Sequence, residues 1–308
     1  MERERIILHC DCNSFFASVE QVLNPALANL PMAVTGDPTK RHGIILAKNE
    51  LAKAAGVQTA ETIWQAKQKC PELICVPSHH DKYGEYSAKC NEIYDRFTDQ
   101  VEPFGIDESW LDVTGSVKLF GSGETIANKI RETVKAELGI TISVGVSFNK
   151  IFAKLGSDYK KPDAVTVITR NNFKDILHPL PVRALTGVGR KTLPELHRLN
   201  IKTIGDLANA DRTILITTFG KMGGVLHDYA NGLDNSPVTA TRPPEKSVGN
   251  GATFEKDLST FNELLPRIIE LAESVGFRCR KAGVRAGVLA ITIKDPNFNT
   301  IVRQKILA

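Results

Sequence analysis

The fold is decided by one stretch, Gly105-Ile106-Asp107-Glu108-Ser109-Trp110-Leu111-Asp112. It has the composition of a strand, in which neighbouring side chains point to opposite faces. If one face is buried, Asp107 and Glu108 cannot both be ordinary surface charges. A divalent cation would make the pair tolerable, because carboxylate oxygens are the ligands that hard ions prefer. Taken alone the pair also fits a strand-end turn, so the rest of the chain must be searched for partners.

Length and composition indicate a soluble globular protein. The chain has 308 residues, of which 42% are hydrophobic and 24% are charged, and such a length favours about two to four compact units. No apolar run reaches the roughly 18 residues that a membrane span needs. A strand-like run follows Met1 to Arg5 in place of the apolar region of a secretion signal, so we expect a cytoplasmic protein.

The cysteines and charges narrow the class of partner. The six cysteines lack the spacing of a disulfide framework or a zinc site, so we interpret them as buried thiols. From Pro237 onward there are 11 Lys or Arg against 7 Asp or Glu, and the preceding residues are balanced at 28 against 28. The whole positive excess therefore lies in the last segment, where a phosphate backbone is a suitable partner.

A third carboxylate ends the first predicted strand. The apolar run Ile6-Ile7-Leu8-His9-Cys10-Asp11 places Asp11 at the C-terminal end of that strand. Asp11 and Asp107 are 96 positions apart in the sequence. Antiparallel neighbouring strands would nevertheless bring the two together.

The helix after this strand carries two consecutive aromatic residues. Asn13-Ser14 is its predicted cap, and Glu20 lies near the side opposite its apolar stripe. Phe15 and Phe16 point about 100° apart around the helix axis. We expect one ring to pack in the core, while the other can line a cleft.

The middle of the chain alternates strands and helices without a steady parallel repeat, which favours a mixed sheet with two long helices on one face. The long helices are predicted over 81–97 and 121–138. Shorter elements are strands over 30–36, 43–47, 140–148 and 165–168, and helices over 49–55, 62–70 and 149–154.

The last third of the chain contains a helical region, a linker and a basic unit. Residues 172–235 are helical in pattern, and Gly187-Val188-Gly189-Arg190-Lys191 resembles a helix-hairpin-helix turn that offers backbone N–H groups to DNA phosphates. The linker follows, and the final unit has a predicted helix over 264–275 and strands around 284–293. Its charge is concentrated in Arg278, Arg280, Lys281 and Arg285.

Three motifs in one order carry a resemblance to a known family. They are Asp11-Cys12-Asn13-Ser14-Phe15-Phe16-Ala17-Ser18-Val19-Glu20, Ile106-Asp107-Glu108-Ser109-Trp110-Leu111-Asp112 and Asn149-Lys150-Ile151-Phe152-Ala153-Lys154. With the glycine turn and the start of the last unit at Lys246-Ser247-Val248-Gly249, they resemble the Y-family translesion DNA polymerases, on the bacterial polymerase IV side. The resemblance runs from about residue 6 to the end of the sequence.

The resemblance implies an α+β fold with right-hand polymerase architecture. The mixed-sheet palm would comprise 1–21 and 78–170, and small fingers would be inserted at 22–77. A helical thumb with the helix-hairpin-helix would occupy 171–236, followed by a linker over 237–245. A partial α/β little finger would occupy 246–308, and we expect it to be truncated there.

The resemblance also assigns roles to single residues. Asp11, Asp107 and Glu108 match the catalytic, metal-binding carboxylates, helped by the main-chain carbonyl of Cys12. Two Mg²⁺ ions, which Mn²⁺ can replace, would activate the primer 3′ hydroxyl and neutralise the pyrophosphate. Because Asp11 supplies the third carboxylate, we interpret Asp112 as a structural residue.

Further matches concern the incoming nucleotide. Phe16 matches the steric gate that excludes a ribose 2′ hydroxyl, and Phe15 is its core partner. Lys161 matches a triphosphate-binding lysine, and Lys53 stands where the family usually has an arginine. Lysine cannot reproduce the bidentate fork of arginine. Glu50 would repel a triphosphate unless it is turned away or bridged by a cation.

The implied partners are primer-template DNA, a deoxynucleoside triphosphate and a sliding clamp bound through a segment beyond residue 308. Predicted DNA contacts are Gly187, Gly189, Arg190, Lys191, Lys246, Ser247, Arg278, Arg280, Lys281 and Arg285. We expect a monomer without membrane contact.

The function implied is low-fidelity, template-directed translesion synthesis. The alternatives are an inactive DNA-binding or scaffold member of the family, and a nucleotide cyclase, which would lack the thumb and the basic terminal unit.

Overall fold

The structure is a computed structural model that describes residues 4–36, 43–241 and 246–307. Within these ranges the chain forms two compact units, the first ending near residue 241 and the second spanning 246–307. Residues 242–245 of the predicted linker lie outside the described ranges. Among the described helices, none is both long enough and apolar enough to cross a membrane.

Most elements agree in type with the prediction, with shifted bounds, but the strands at Ile74–Pro77 and Val101–Pro103 and the short helix at Val117–Phe120 were not predicted. The strands are β1 (Ile7–Cys12), β2 (Met32–Thr35), β3 (Ile45–Lys48), β4 (Ile74–Pro77), β5 (Val101–Pro103), β6 (Glu108–Asp112), β7 (Ile142–Ser147), β8 (Val165–Val167), β9 (Val288–Lys294) and β10 (Thr300–Ile306). The helices are α1 (Phe15–Leu23), α2 (Glu50–Ala54), α3 (Ile63–Lys69), α4 (His80–Asp95), α5 (Val117–Phe120), α6 (Gly123–Leu138), α7 (Lys150–Tyr159), α8 (Phe173–Leu177), α9 (Thr192–Arg198), α10 (Ile204–Asn209), α11 (Arg212–Phe219), α12 (Lys221–Ala230) and α13 (Phe261–Lys281).

The first unit is built on a five-stranded sheet with the order β5-β6-β1-β7-β8. Strand β1 pairs antiparallel with both β6 and β7, whereas β7 and β8 are parallel. The sheet is therefore mixed, as the alternation of elements predicted. Every residue of β1 is buried, because the strand is central and is covered on both faces.

The two faces of this sheet are covered by different helices. Leu8 and Cys10 belong to a core that includes side chains of both long helices, α4 and α6, so the prediction that these helices pack on one face is confirmed. The other face carries α7, where Ile7 packs with Ala153. Helix α7 lies very close to β7, since a Cβ added to Gly145 would stand 1.8 Å from the Ala153 carbonyl oxygen.

A second, three-stranded sheet with the order β3-β2-β4 follows α1. Strand β2 is antiparallel to β3 and parallel to β4. The side chain of Asn49 caps α2 by accepting a hydrogen bond from the Ala52 N–H. Thr62 and Gln65 form a capping box at the start of α3. The helices predicted at 49–55 and 62–70 are confirmed.

Helices α8 to α12 pack around a second core, which includes Leu196, Ile204, Leu215 and Leu226. Helix α7 also contributes to it, through Phe152 and Leu155. The second unit contains α13 and an antiparallel pair formed by β9 and β10. Helix α13 is longer than the predicted 264–275, because Thr260 and Glu263 form a capping box before it. Strand β10 was not predicted.

Three expectations about α1 and the cysteines need correction. Glu20 is 4% exposed and so is buried, not near a solvent side. Ser14 occupies the N-cap position of α1 with φ 47° and makes no side-chain cap bond. Cys75 and Cys279 are partly exposed, whereas the other four cysteines are buried thiols.

Candidate active site

The register of β1 against β6 brings the predicted carboxylates together. Asp11 stands directly opposite Glu108, and His9 stands opposite Trp110. Paired residues on antiparallel strands point to the same face of a sheet. The expectation that antiparallel neighbours would join Asp11 to the acidic stretch is confirmed.

His9, Asp11 and Glu108 form a group of side chains that could share a metal ion. Their donor atoms all lie within 4.8 Å of one another. The predicted metal-binding group was Asp11, Asp107 and Glu108, so His9 stands here in place of Asp107. Asp107 lies at the same strand end, because its carbonyl oxygen accepts a hydrogen bond from the Cys12 N–H at 2.9 Å.

The environment shifts the pKa values of the acidic groups in opposite directions. Burial raises the pKa of Asp11 to about 6, although Lys161 acts in the opposite direction. Burial, and then repulsion from Glu108, raise the pKa of Asp107. Burial would also raise the pKa of Glu108, but hydrogen bonds with His9 and Lys154 outweigh it and bring that pKa to about 2.

This donor set suits a hard divalent cation. A cation among buried carboxylates would reverse the cost of their charges, which the raised pKa values of Asp11 and Asp107 express. Carboxylate oxygens are the ligands that Mg²⁺ and similar ions prefer. Asp11 and Glu108 have donor atoms close enough to share such an ion, together with His9, and Asp107 stays a predicted ligand.

Two lysines stand beside the carboxylates. The Nζ atom of Lys161 lies 2.7 Å from Asp11 Oδ2 and 2.8 Å from Asp158 Oδ1. Lys154 forms a very short contact with Glu108 Oε2. Lys161 was predicted to bind the triphosphate of the incoming nucleotide, and that contact stays a prediction. Lys154 and His9 lie in segments named above, but no role was predicted for either residue.

The two aromatic residues of α1 divide as the helix geometry predicts. Phe15 is 4% exposed and packs in the core. Phe16 is only partly buried, and its ring is stacked on Tyr83 with centroids 4.1 Å apart and planes 12° apart. Phe16 is therefore the ring able to face a bound ligand.

Glu50 and Lys53 neutralise each other on α2. Lys53 Nζ lies 3.2 Å from Glu50 Oε2, and the Ser14 hydroxyl donates to Glu50 Oε1 at 3.3 Å. Glu50 is thus paired with the Lys53 ammonium, and a cation that bridges Glu50 to a triphosphate stays a prediction. Lys53 itself is exposed.

The predicted DNA contacts are exposed cations and turn residues. Gly187 has φ +97°, a left-handed conformation that glycine adopts readily. Arg190 and Lys191 are exposed, and no described residue forms an ion pair with them. In the second unit, Arg278 donates to the Gly249 carbonyl. The remaining predicted contacts there are exposed: Lys246, Ser247, Arg280, Lys281 and Arg285.

Four residues near the site were not predicted from the sequence to take part in it. His9 carried a usable signal, because it stands two positions before Asp11 and therefore shares its face. Lys154 is four positions after Lys150 on a helix that covers that face. Glu20 and Tyr83 carried no such signal, since their contact joins α1 to α4 across 63 residues.

A solved structure defines the class of protein. The Y-family DNA polymerase chimera of Dbh and Dpo4 matches with a TM-score of 0.86 at 27% sequence identity, over 98% of this chain and 88% of that chain. This likeness confirms the predicted α+β fold with right-hand polymerase architecture. Divalent-metal dependence and binding of primer-template DNA and nucleotides are general in that class.

Sequence families and curated relatives give the particular group. The impB/mucB/samB family matches residues 10–158, its C-terminal domain matches 245–308, and the IMS family HHH motif matches 170–201. DNA polymerase IV of Acetivibrio thermocellus is 50% identical over 98% of this chain and 76% of its own length. DNA polymerase IV 1 of Bacillus subtilis is 42% identical over 99% of this chain and 74% of its own. The chain belongs to the impB/mucB/samB family.

Proposed function

We propose that the chain is a template-directed DNA polymerase for translesion synthesis, in which Asp11, Asp107 and Glu108 hold two Mg²⁺ ions. The observation that carries this proposal is the pairing of Asp11 with Glu108 at the end of two buried antiparallel strands. Curated relatives named DNA polymerase IV support the activity.

The residues of the site have different proposed roles in metal binding and in control of the Glu108 charge. Bound Mg²⁺ ions would lower the pKa of the primer 3′ hydroxyl and neutralise charge on the leaving pyrophosphate. Asp11, Asp107 and Glu108 supply the anionic ligands, and the Cys12 carbonyl is a further predicted ligand. His9 and Lys154 keep Glu108 ionised, since their hydrogen bonds lower its pKa.

Selection of the nucleotide is assigned to α1, α2 and the loop after α7. Phe16 is proposed to stand against the sugar and exclude a 2′ hydroxyl. Lys53 and Lys161 are proposed to attract the triphosphate as point charges. Small fingers at 22–77 would enclose the nascent pair loosely, which trades selectivity for tolerance of damaged bases.

Other functions have less support. In the described residues nothing favours an inactive scaffold, because the repulsion expected from Glu50 is offset by Lys53 at 3.2 Å. A nucleotide cyclase would lack the thumb and the basic terminal unit, whereas the family HHH motif and C-terminal domain both match this chain.

Primer extension with Mg²⁺ tests the proposal. The unaltered chain should extend a primer, and an Asp107→Ala, Glu108→Ala double variant should not. Asp112→Asn is the matched control, because Asp112 lies at the far end of β6 and its side chain accepts hydrogen bonds from the nearby Thr114. A double variant that extends as fast as the control would exclude these carboxylates from the metal site. Failure of the unaltered chain to extend would favour the scaffold.

Further parts of the proposal rest on the sequence resemblance. They are the domain boundaries, a monomeric state, a cytoplasmic location, a sliding clamp as partner, and Mn²⁺ as a substitute for Mg²⁺. The exposed cations near Gly187 and in the second unit are proposed to contact DNA phosphates, so DNA affinity should fall steeply with salt.

A further inference from the structure

Glu20 is a buried carboxylate that the proposed mechanism does not use. It lies on α1, one turn after Phe16, and is 4% exposed. Its Oε1 atom accepts hydrogen bonds from the Tyr83 hydroxyl at 2.5 Å and from His79 Nδ1 at 2.9 Å. Burying a carboxylate is costly unless it is hydrogen-bonded, so this position is built around its two partners.

The Glu20–Tyr83 bond ends at the proposed steric gate. The Tyr83 ring is completely buried and lies parallel to the Phe16 ring, with centroids 4.1 Å apart. His80 meets the Phe16 ring edge-on at 5.7 Å and the Tyr83 ring edge-on at 5.6 Å. Tyr83 therefore forms the surface on which one face of Phe16 rests.

The hydroxyl of Tyr83 leaves this ring little freedom. Burial and the hydrogen bond to Glu20 raise the pKa of Tyr83, so its hydroxyl stays protonated and donates. The Tyr83 hydroxyl also accepts from the His79 N–H at 3.1 Å. Two hydrogen bonds therefore restrain the far end of the ring that lies beneath Phe16.

We propose that Glu20 is a positioning residue for sugar selection, which acts by anchoring Tyr83 beneath the Phe16 ring. The inference rests on the proposed role of Phe16 as the gate. A gate excludes a 2′ hydroxyl only if its ring cannot move aside, and Glu20 supplies the restraint. Loss of the anchor should admit ribonucleotides more readily while the metal-binding carboxylates remain in place.

A merely structural role makes a different prediction. Glu20 also ties α1 to α4, and weakening that tie alone would lower the efficiency with dCTP and CTP by the same factor. A positioning role changes their ratio. The measurement is therefore kcat/KM for dCTP and for CTP opposite a template guanine, on the full chain.

The substitutions at Glu20 and Tyr83 distinguish the effect of the hydrogen bond between them from the effect of the Tyr83 ring. In Glu20→Ala we expect the dCTP/CTP preference to fall about tenfold, within the range that misplacing a positioned group by about an ångström produces. Tyr83→Phe keeps the ring but loses the hydroxyl, and we expect a similar fall. Glu20→Gln keeps an acceptor oxygen, so it should retain most of the preference. The double variant Glu20→Ala, Tyr83→Phe should fall no further than either single one, because both remove the same bond.

Two further variants make the outcome decisive. Tyr94→Phe removes another buried hydroxyl from α4, one that lies among the thiols of Cys10, Cys12 and Cys90 and not beside Glu20, and should leave the ratio unchanged. Phe16→Ala must lower the ratio if Phe16 is the gate. An unchanged ratio in Phe16→Ala refutes the gate itself. A changed ratio there, with unchanged or additive ratios in the Glu20 and Tyr83 variants, overturns the role of Glu20 alone.

Discussion

Replacing Asp11 by asparagine is expected to stabilise the metal-free protein while it removes a carboxylate that catalysis needs. Asp11 is 5% exposed. Burial raises its pKa from the ordinary 3.8 to about 6, although the Lys161 ammonium lies 2.7 Å away. The folded chain thus holds this proton more tightly than the unfolded chain does. Its free energy of unfolding therefore falls as the pH rises from about 4 through about 6.

The magnitude follows from the two pKa values. Their difference corresponds to about 3 kcal/mol, at about 1.4 kcal/mol for each pH unit. Asparagine has nearly the same size and carries no charge at any of these pH values. We expect Asp11→Asn to be more stable than the unaltered chain by up to about 3 kcal/mol near pH 7.5 and equally stable near pH 4.

The assay is urea unfolding in the presence of a chelator, followed by tryptophan fluorescence. Both tryptophans, Trp64 and Trp110, lie in the first unit, so the signal reports on the unit that contains Asp11. Asp158→Asn is the control, because Asp158 also pairs with Lys161 but its side chain is 53% exposed. Its effect should stay within about 1 kcal/mol. An Asp11→Asn variant without added stability near pH 7.5, or with a gain that persists near pH 4, would refute the reasoning.

Three other substitutions test other parts of the structure. Gly145→Ala should destabilise the first unit by about 3 kcal/mol or more in the same assay, because its Cβ would stand 1.8 Å from the Ala153 carbonyl oxygen; unchanged stability would contradict the close contact. Lys154→Met should destabilise the metal-free protein by about 1 to 3 kcal/mol, since Glu108 loses a partly buried partner, and added Mg²⁺ should restore part of that loss. Lys53→Arg should lower the KM for the nucleotide in primer extension, because arginine can bind a phosphate through two parallel hydrogen bonds; an unchanged KM would place Lys53 away from the triphosphate.

Local patterns predicted much of the fold. Caps and breakers are short-range features, so Asn49 and Thr62 located two helices to within a residue or two. The start of α6 was misplaced, because Gly121 ends the short helix α5 and the side chain of Ser122 caps the next one. The prediction for α1 placed Glu20 toward solvent, because a helical pattern cannot show that another helix will cover that side.

Local sequence patterns are enough to predict the order of motifs, the mixed sheet and the end of the strand on which Asp11 stands. These depend on periodicity and on residues within a few positions of one another. Only the tertiary structure decided that Asp11 faces Glu108, that His9 and Lys154 hold the Glu108 carboxylate, and that Glu20 anchors Tyr83. Those contacts join residues 46 to 99 positions apart. They follow from strand register and helix packing, which arise when the whole core assembles.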